Sequence, residues 1–115
     1  MDDAELIEFA TDFREGILDG RPSAWTCAMV CWPLVTLLNM QGVGCEAIES
    51  DLGHLNHVWL KLPDGRALDP TADQFNDLFP HYNLPPVYLG PPLDIHAEGG
   101  GVPYEPPSTE RGKAR

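Results

Sequence analysis

Cys27, His57 and Asp69 are the residues of this chain whose types and order could do covalent chemistry. A thiolate attacks a carbonyl carbon, an imidazole takes and returns a proton, and a carboxylate holds the imidazole in one tautomer. A helix N-terminus and a neighbouring imidazolium both favour the thiolate. Cys27 falls near the start of an apolar stretch from Ala24 to Met40, about one turn into an expected helix. Cys31 is a turn further along and too deep to use the terminus well. The backbone N–H of Cys27 is a natural oxyanion donor. The indole of Trp25 and the side chain of Asn56 are candidates for a second donor, and Trp59 for a pocket wall or core packing.

Two elements must bring the imidazole and the carboxylate together. Residues 57–62 alternate, with Val58, Leu60 and Leu62 on one side and His57, Trp59 and Lys61 on the other, which predicts a strand with one face in a core. Pro63-Asp64-Gly65 then supplies turn chemistry: a fixed φ, a capping carboxylate and a residue that accepts the left-handed region. A three-residue loop pairs Leu62 with Arg66, Leu60 with Leu68 and Trp59 with Asp69. Asp69 then shares a face with His57 on the diagonal, where Cα atoms lie about 7–8 Å apart. A two-residue loop would send Asp69 to the opposite face, so the site depends on the register.

The helices follow from periodicity. Asp2 or Asp3 caps a first helix to about Leu18, with Leu6, Ile7, Ala10, Phe13, Ile17 and Leu18 as its stripe and Asp19-Gly20 as its stop. Ser23 is the expected N-cap of the second, which is read as a central buried helix kinked at Pro33 and closed by Gln41-Gly42. Val43 to Glu49 reads as a strand, 50–56 as a loop, and Ala72-Asp73-Gln74-Phe75 as a short helix. The segment 84–92 lies extended, anchored by Val87, Tyr88 and Leu89. The Pro- and Gly-rich stretch 96–115 reads as a flexible tail on a single domain of residues 1–95. The fold class is α+β, the long helix packed on a small antiparallel sheet.

Composition narrows the partners. At 115 residues with 43% apolar content, the chain supports one core. A net charge of −11, from 18 acidic and 7 basic residues, repels phosphate backbones and anionic membranes. No apolar run approaches the length of a membrane span, and the acidic Met1-Asp2-Asp3-Ala4-Glu5 start is unlike a secretory signal. Three cysteines without framework spacing read as free thiols in a reducing cytoplasm. Zinc is a weaker reading: Cys27 and Cys31 sit inside an apolar helix, and His54 and His57 point to opposite faces of a strand. No metal and no cofactor are expected. Gly99-Gly100-Gly101 has no strand before it or helix after it to make a phosphate loop.

Cys27 opening a helix, followed by His57-Val-Trp-Leu, Asp64-Gly65 and Asp69-Pro-Thr, resembles the transglutaminase-like branch of the papain-like cysteine enzymes. The leader peptidases that process lasso peptides share the pattern. The resemblance covers residues 27–75 and implies Cys27 as nucleophile, His57 as general base and Asp69 as its orienting partner. Thiol-dependent acyl transfer on an amide of a peptide or protein is the leading expectation; hydrolysis, deamidation and transamidation share one acyl-enzyme intermediate. A small scaffold offers a shallow cleft better suited to a polypeptide than to a metabolite. The alternative is a non-catalytic module of the same fold that binds a basic partner through its acidic surface.

Overall fold

The computed structural model describes residues 1–53 and 55–98. Helix α1 spans Asp3–Leu18 and α2 spans Cys27–Met40; strands β1 (Glu46–Asp51), β2 (Asn56–Lys61), β3 (Ala67–Asp69) and β4 (Tyr88–Gly90) form one antiparallel sheet in chain order. The architecture is α+β, as expected. Of the expected tail, residues 99–115 lie outside the described residues, but its first residue is packed: His96 ends a 3-10 turn, Asp94–His96, and is buried. The expected boundary at residue 95 therefore falls inside a folded element.

Helix α1 starts on a reciprocal cap. The Asp2 carboxylate accepts from the Glu5 N–H at 2.8 Å while Glu5 accepts from the Asp2 N–H at 2.9 Å. It ends at Asp19, which is left-handed with φ of 51°. Helix α2 begins at Cys27, three residues later than the apolar run suggested, with Thr26 as N-cap in place of Ser23. Ser23 is instead buried and donates to Asp73 Oδ1 at 2.7 Å. Helix α2 continues through Pro33 to Met40.

The reading of α2 as buried all round is corrected. Val30, Cys31, Leu34 and Leu38 face the sheet, whereas Met29, Trp32 and Met40 are 46%, 51% and 75% exposed. A chain this short covers one side of the helix with the sheet and α1, and an apolar run without period carries no sign of which side that is.

Strand β2 is the centre of the molecule. Val58, Leu60 and Leu62 join Leu68, Cys31, Leu34, Leu38, Leu6 and Ala10 in the core beneath the helices. The opposite face is also closed, and His57 and Trp59 are fully buried there. A second cluster built on Leu52, Phe75 and Ile95 packs on that side, drawn from the β1–β2 turn, the 3-10 turn Ala72–Phe75 and the segment after β4. Alternation within a strand reports its two faces and not what later segments lay over them.

The hairpin has the expected register. Leu60 pairs with Leu68, and the Leu62 N–H donates to the Arg66 carbonyl across the loop 63–65. Asp64 accepts from the Arg66 N–H at 3.0 Å, and Gly65 takes φ of 91°, a region where a side chain is strained. Strand β1 sits three residues later at its start than the sequence suggested. Its extent is set by its partner, from Glu46 opposite Lys61 to Asp51 opposite Asn56, and it is an edge strand whose carboxylates suit solvent. The extended segment near residue 88 is β4, pairing Tyr88 with Asp69, so Asp69 sits on an interior strand.

Candidate active site

Three elements converge at the N-terminus of α2. Strand β3 supplies Asp69, β2 supplies His57, and α2 supplies Cys27. His57 Nε2 donates to Asp69 Oδ2 at 2.7 Å, with both side chains fully buried. The remaining ring nitrogen, Nδ1, has no hydrogen-bond partner of its own. The Cys27 thiol lies close enough that each group shifts the other's pKa toward its charged form. With the proton on Nε2 held by Asp69, a neutral His57 presents a lone pair at Nδ1, which is what a base for the thiol requires. Phe75 closes the ring's side with an edge contact at 4.6 Å between centroids.

The β2–β3 ladder pairs Leu60 with Leu68 and Lys61 with Ala67 and does not include Val58. The backbone of Val58 meets the start of α2: its carbonyl accepts from Cys31 Sγ at 3.2 Å, and its N–H lowers the pKa of Cys27. No side chain caps the first N–H groups of α2. The first turn of a helix leaves such N–H groups without intrahelical partners, and that of Ala28 acts on Cys27.

Charge separates the three cysteines, all of which are free thiols. Burial pushes the Cys27 thiol up, but the nearby His57 ring and the N–H groups of Val58 and Ala28 outweigh it and leave the pKa below the ordinary value. Burial drives Cys31 well above the ordinary value, with the Asp69 charge adding to it, and burial also raises Cys45. His57 rises to about 9: burial opposes its charge, yet the Asp69 carboxylate and the Cys27 contact prevail. Burial likewise opposes ionisation of Asp69, but its contacts with His57 and His96 hold it far below the usual carboxylate range. All three shifts run in the direction that favours the charged form of the group.

A cleft of about 330 Å³ opens beside Cys27, lined by Trp25, Leu55, Asn56, Gln74, Phe75 and Leu78 among others, with the Asp77 carboxylate among its walls. Trp25 and Asn56, the candidates for a second oxyanion donor, both border the cleft. Trp25 is 77% exposed, and the Asn56 amide is committed to Glu49 Oε2 at 3.0 Å. Trp59 is not a pocket wall. It is fully buried behind the triad, where its indole N–H donates to Ser50 Oγ at 2.9 Å.

Sequence reasoning missed the frame that fixes the cleft. Arg14, on the α1 stripe, turns its guanidinium inward onto the Pro70 and Pro86 carbonyls (3.1 and 2.9 Å) and onto both oxygens of Asp73 (2.9 and 3.2 Å). Gln74 accepts from the Trp25 N–H at 3.3 Å and donates to Thr71 Oγ1 at 2.8 Å. Trp25 has φ of 65°, a region non-glycine residues seldom occupy, immediately before the helix. These bonds tie the entry to α2 to the segment that follows Asp69. Arg14→Met keeps the length but strips the donors, leaving Asp73 and two carbonyls short of partners; a loss of about 2–4 kcal/mol is expected in urea unfolding. A midpoint unchanged from wild type would show that the guanidinium contributes nothing.

His96, the first residue of the expected tail, also reaches the site. Its Nε2 lies 2.7 Å from Asp69 Oδ2, the same oxygen that His57 uses. His57, Asp69 and His96 thus place three ligand-type atoms within 4.8 Å of one another. Proton placement argues against a metal centre there: Leu93 N–H donates to His96 Nδ1 at 3.0 Å, so the neutral ring carries its proton on Nε2 and has no lone pair to offer at that atom. Of the earlier zinc reading, His54 lies outside the described residues, and Cys31 is committed to the Val58 carbonyl. Among the described residues, no helix is long and apolar enough to cross a membrane.

No protein-family model matches the chain, and neither a curated protein nor a solved structure matches it.

Proposed function

We propose that this chain is a thiol-dependent acyl-transfer enzyme acting on an amide bond of a peptide or protein, built on a papain/transglutaminase-like core. The observation that carries the reading is the division of labour on one ring: His57 Nε2 is bound to Asp69, while Nδ1 is unpaired in a ring whose pKa the nearby Cys27 raises. Cys27 Sγ attacks the amide carbonyl carbon, and the oxygen takes up negative charge against the uncapped N–H groups of α2. The C–N bond then breaks, and His57 Nδ1 gives its proton to the departing amine, leaving a thioester on Cys27. Water or a second amine attacks the thioester, His57 Nδ1 takes the proton from it, and the C–S bond breaks to restore the thiolate. The shallow, largely apolar cleft suits a polypeptide segment with an apolar side chain beside the scissile amide. Free thiols at all three cysteines favour a reducing compartment, and the acidic surface argues against a nucleic-acid partner.

p-Nitrophenyl acetate tests the acyl-transfer chemistry without knowledge of the natural substrate. A burst of nitrophenol equal to the protein concentration is expected, with an acetyl group found on the Cys27 peptide by mass spectrometry. Cys27→Ala should abolish the burst and His57→Ala should slow it by about a hundredfold or more. Acetylation spread over other side chains, or a burst that survives Cys27→Ala, would defeat the proposal.

A further inference from the structure

Behind the triad lies a second imidazole that touches neither the cleft nor the thiol. We infer that His96 is a positioning residue for this site: by donating from Nε2 to Asp69 Oδ2, it locks the carboxylate in the orientation that His57 needs. The inference rests on the reading of Cys27 and His57 as nucleophile and base.

Asp69 has two oxygens to hold. Oδ1 accepts from the Thr71 N–H at 3.1 Å, and Oδ2 accepts from both His57 and His96 at 2.7 Å each. Without His96, Oδ2 keeps only the partner it is meant to orient, and the carboxylate can swing about its remaining bond to Thr71. With His96 in place, any such swing breaks a buried, charge-assisted hydrogen bond.

His96 is itself aimed by the backbone. The Leu93 N–H occupies Nδ1 at 3.0 Å, which puts the ring's proton on Nε2 and points it at the carboxylate. The opposite tautomer would set N–H against N–H on one side and a lone pair against a carboxylate on the other. Tyr88 stacks on the ring at 5.7 Å, and Trp59 packs against it at 5.0 Å. The Tyr88 hydroxyl is turned away to the Pro91 carbonyl, so Asp69 and His57 are the ionisable groups on the ring's working edge. The next residue is clamped as well. Trp59 donates to Ser50 Oγ, and Ser50 donates to the Ala97 carbonyl, while Lys61 pairs with Glu98 at 2.9 Å. The sheet therefore holds the two residues that follow His96, and the buried Ser50 and Trp59 find their polar partners in doing so.

The test reads the protonation of Cys27 in the full chain. The pH midpoint for thiolate formation is measured from iodoacetamide alkylation of the Cys27 peptide in wild type, His96→Phe and His96→Gln. Wild type should titrate below the ordinary thiol value of about 8.5. His96→Phe should move the midpoint back toward it and slow alkylation at pH 7 by about tenfold. His96→Gln, whose amide can donate to the same oxygen, should recover at least half of the shift. A His96→Phe midpoint equal to wild type would overturn the inference and leave the role of Cys27 standing, whereas a wild-type midpoint near 8.5 would sink both. Should His96→Phe fail to fold, ¹⁵N shifts of the wild-type imidazoles decide: an Nε2–H tautomer at His96 supports the inference, and an Nδ1–H tautomer overturns it.

Discussion

At pH 7, iodoacetamide is expected to modify Cys27 on the order of a hundredfold faster than Cys31 or Cys45. An ordinary thiol near 8.5 is only about 3% thiolate at that pH. Cys27 lies below the ordinary value through His57 and the helix terminus, while burial holds Cys31 and Cys45 above it. Accessibility acts in the same direction, since Cys27 borders the cleft and Cys31 is fully buried. Part of the gain is returned, because a less basic thiolate is a weaker nucleophile. His57→Ala removes the partner that opposes burial and should slow Cys27 by about tenfold or more. Peptide mapping after brief labelling reads all three rates at once, and equal, sluggish labelling would remove the basis for catalysis. The pH profile has a definite sign. The thiolate forms as pH rises through the lowered Cys27 value, and the imidazolium persists until His57 loses its proton at about 9. Turnover should therefore climb on the acid side with the thiolate and fall near pH 9, where no proton remains for the leaving amine.

The largest stability effect is expected at Asp69. Replacing it with alanine strands two buried imidazole donors and the Thr71 N–H. Removing one partner of a buried, hydrogen-bonded charge costs about 3–5 kcal/mol. For a domain of this size that lowers Tm by roughly 10–20 °C. The pH dependence should change too. Asp69 ionises more easily folded than unfolded, so its contribution is present above the ordinary carboxylate range and is lost on acidification. His57 holds its proton more tightly folded, so its contribution is complete below pH 6.5 and disappears as pH rises through about 9. Wild type should accordingly be most stable between those limits, and Asp69→Ala should flatten the alkaline decline. Calorimetric scans from pH 4 to 10 measure this. A fall in Tm of under two degrees would mean that the buried charges are not paired as described.

Much of the site is legible locally, because a hairpin carries its own register. Pro63-Asp64-Gly65 sets the loop length, the loop length sets the pairing, and the pairing brings Asp69 to the His57 face. The first helix and the 3-10 turn at Ala72–Phe75 are similarly local. His96, Ser50 and Arg14 are not. Each acts through partners remote in the chain, and nothing in the immediate neighbourhood of His96 announces a carboxylate on strand β3. Pro- and Gly-rich flanks made that residue look like tail, although the sheet holds it tightly. Strand β4 was hidden for a related reason: three residues are too few to show a period, and only the edge of β3 identifies them as a strand. The exposed side of α2 marks another limit, since an apolar run tells which residues can be buried and not which ones the rest of the chain has surface to cover.

The order in which the polypeptide is synthesised has a consequence for its own safety. Sulfur at residue 27 is made early, but the ring, the acid and the second ring that tune it follow at residues 57, 69 and 96. A nascent chain halted before them holds a cysteine with none of those neighbours and the sluggish reactivity of any free thiol. On the proposed function, the groups that would activate Cys27 come together only when the fold is complete.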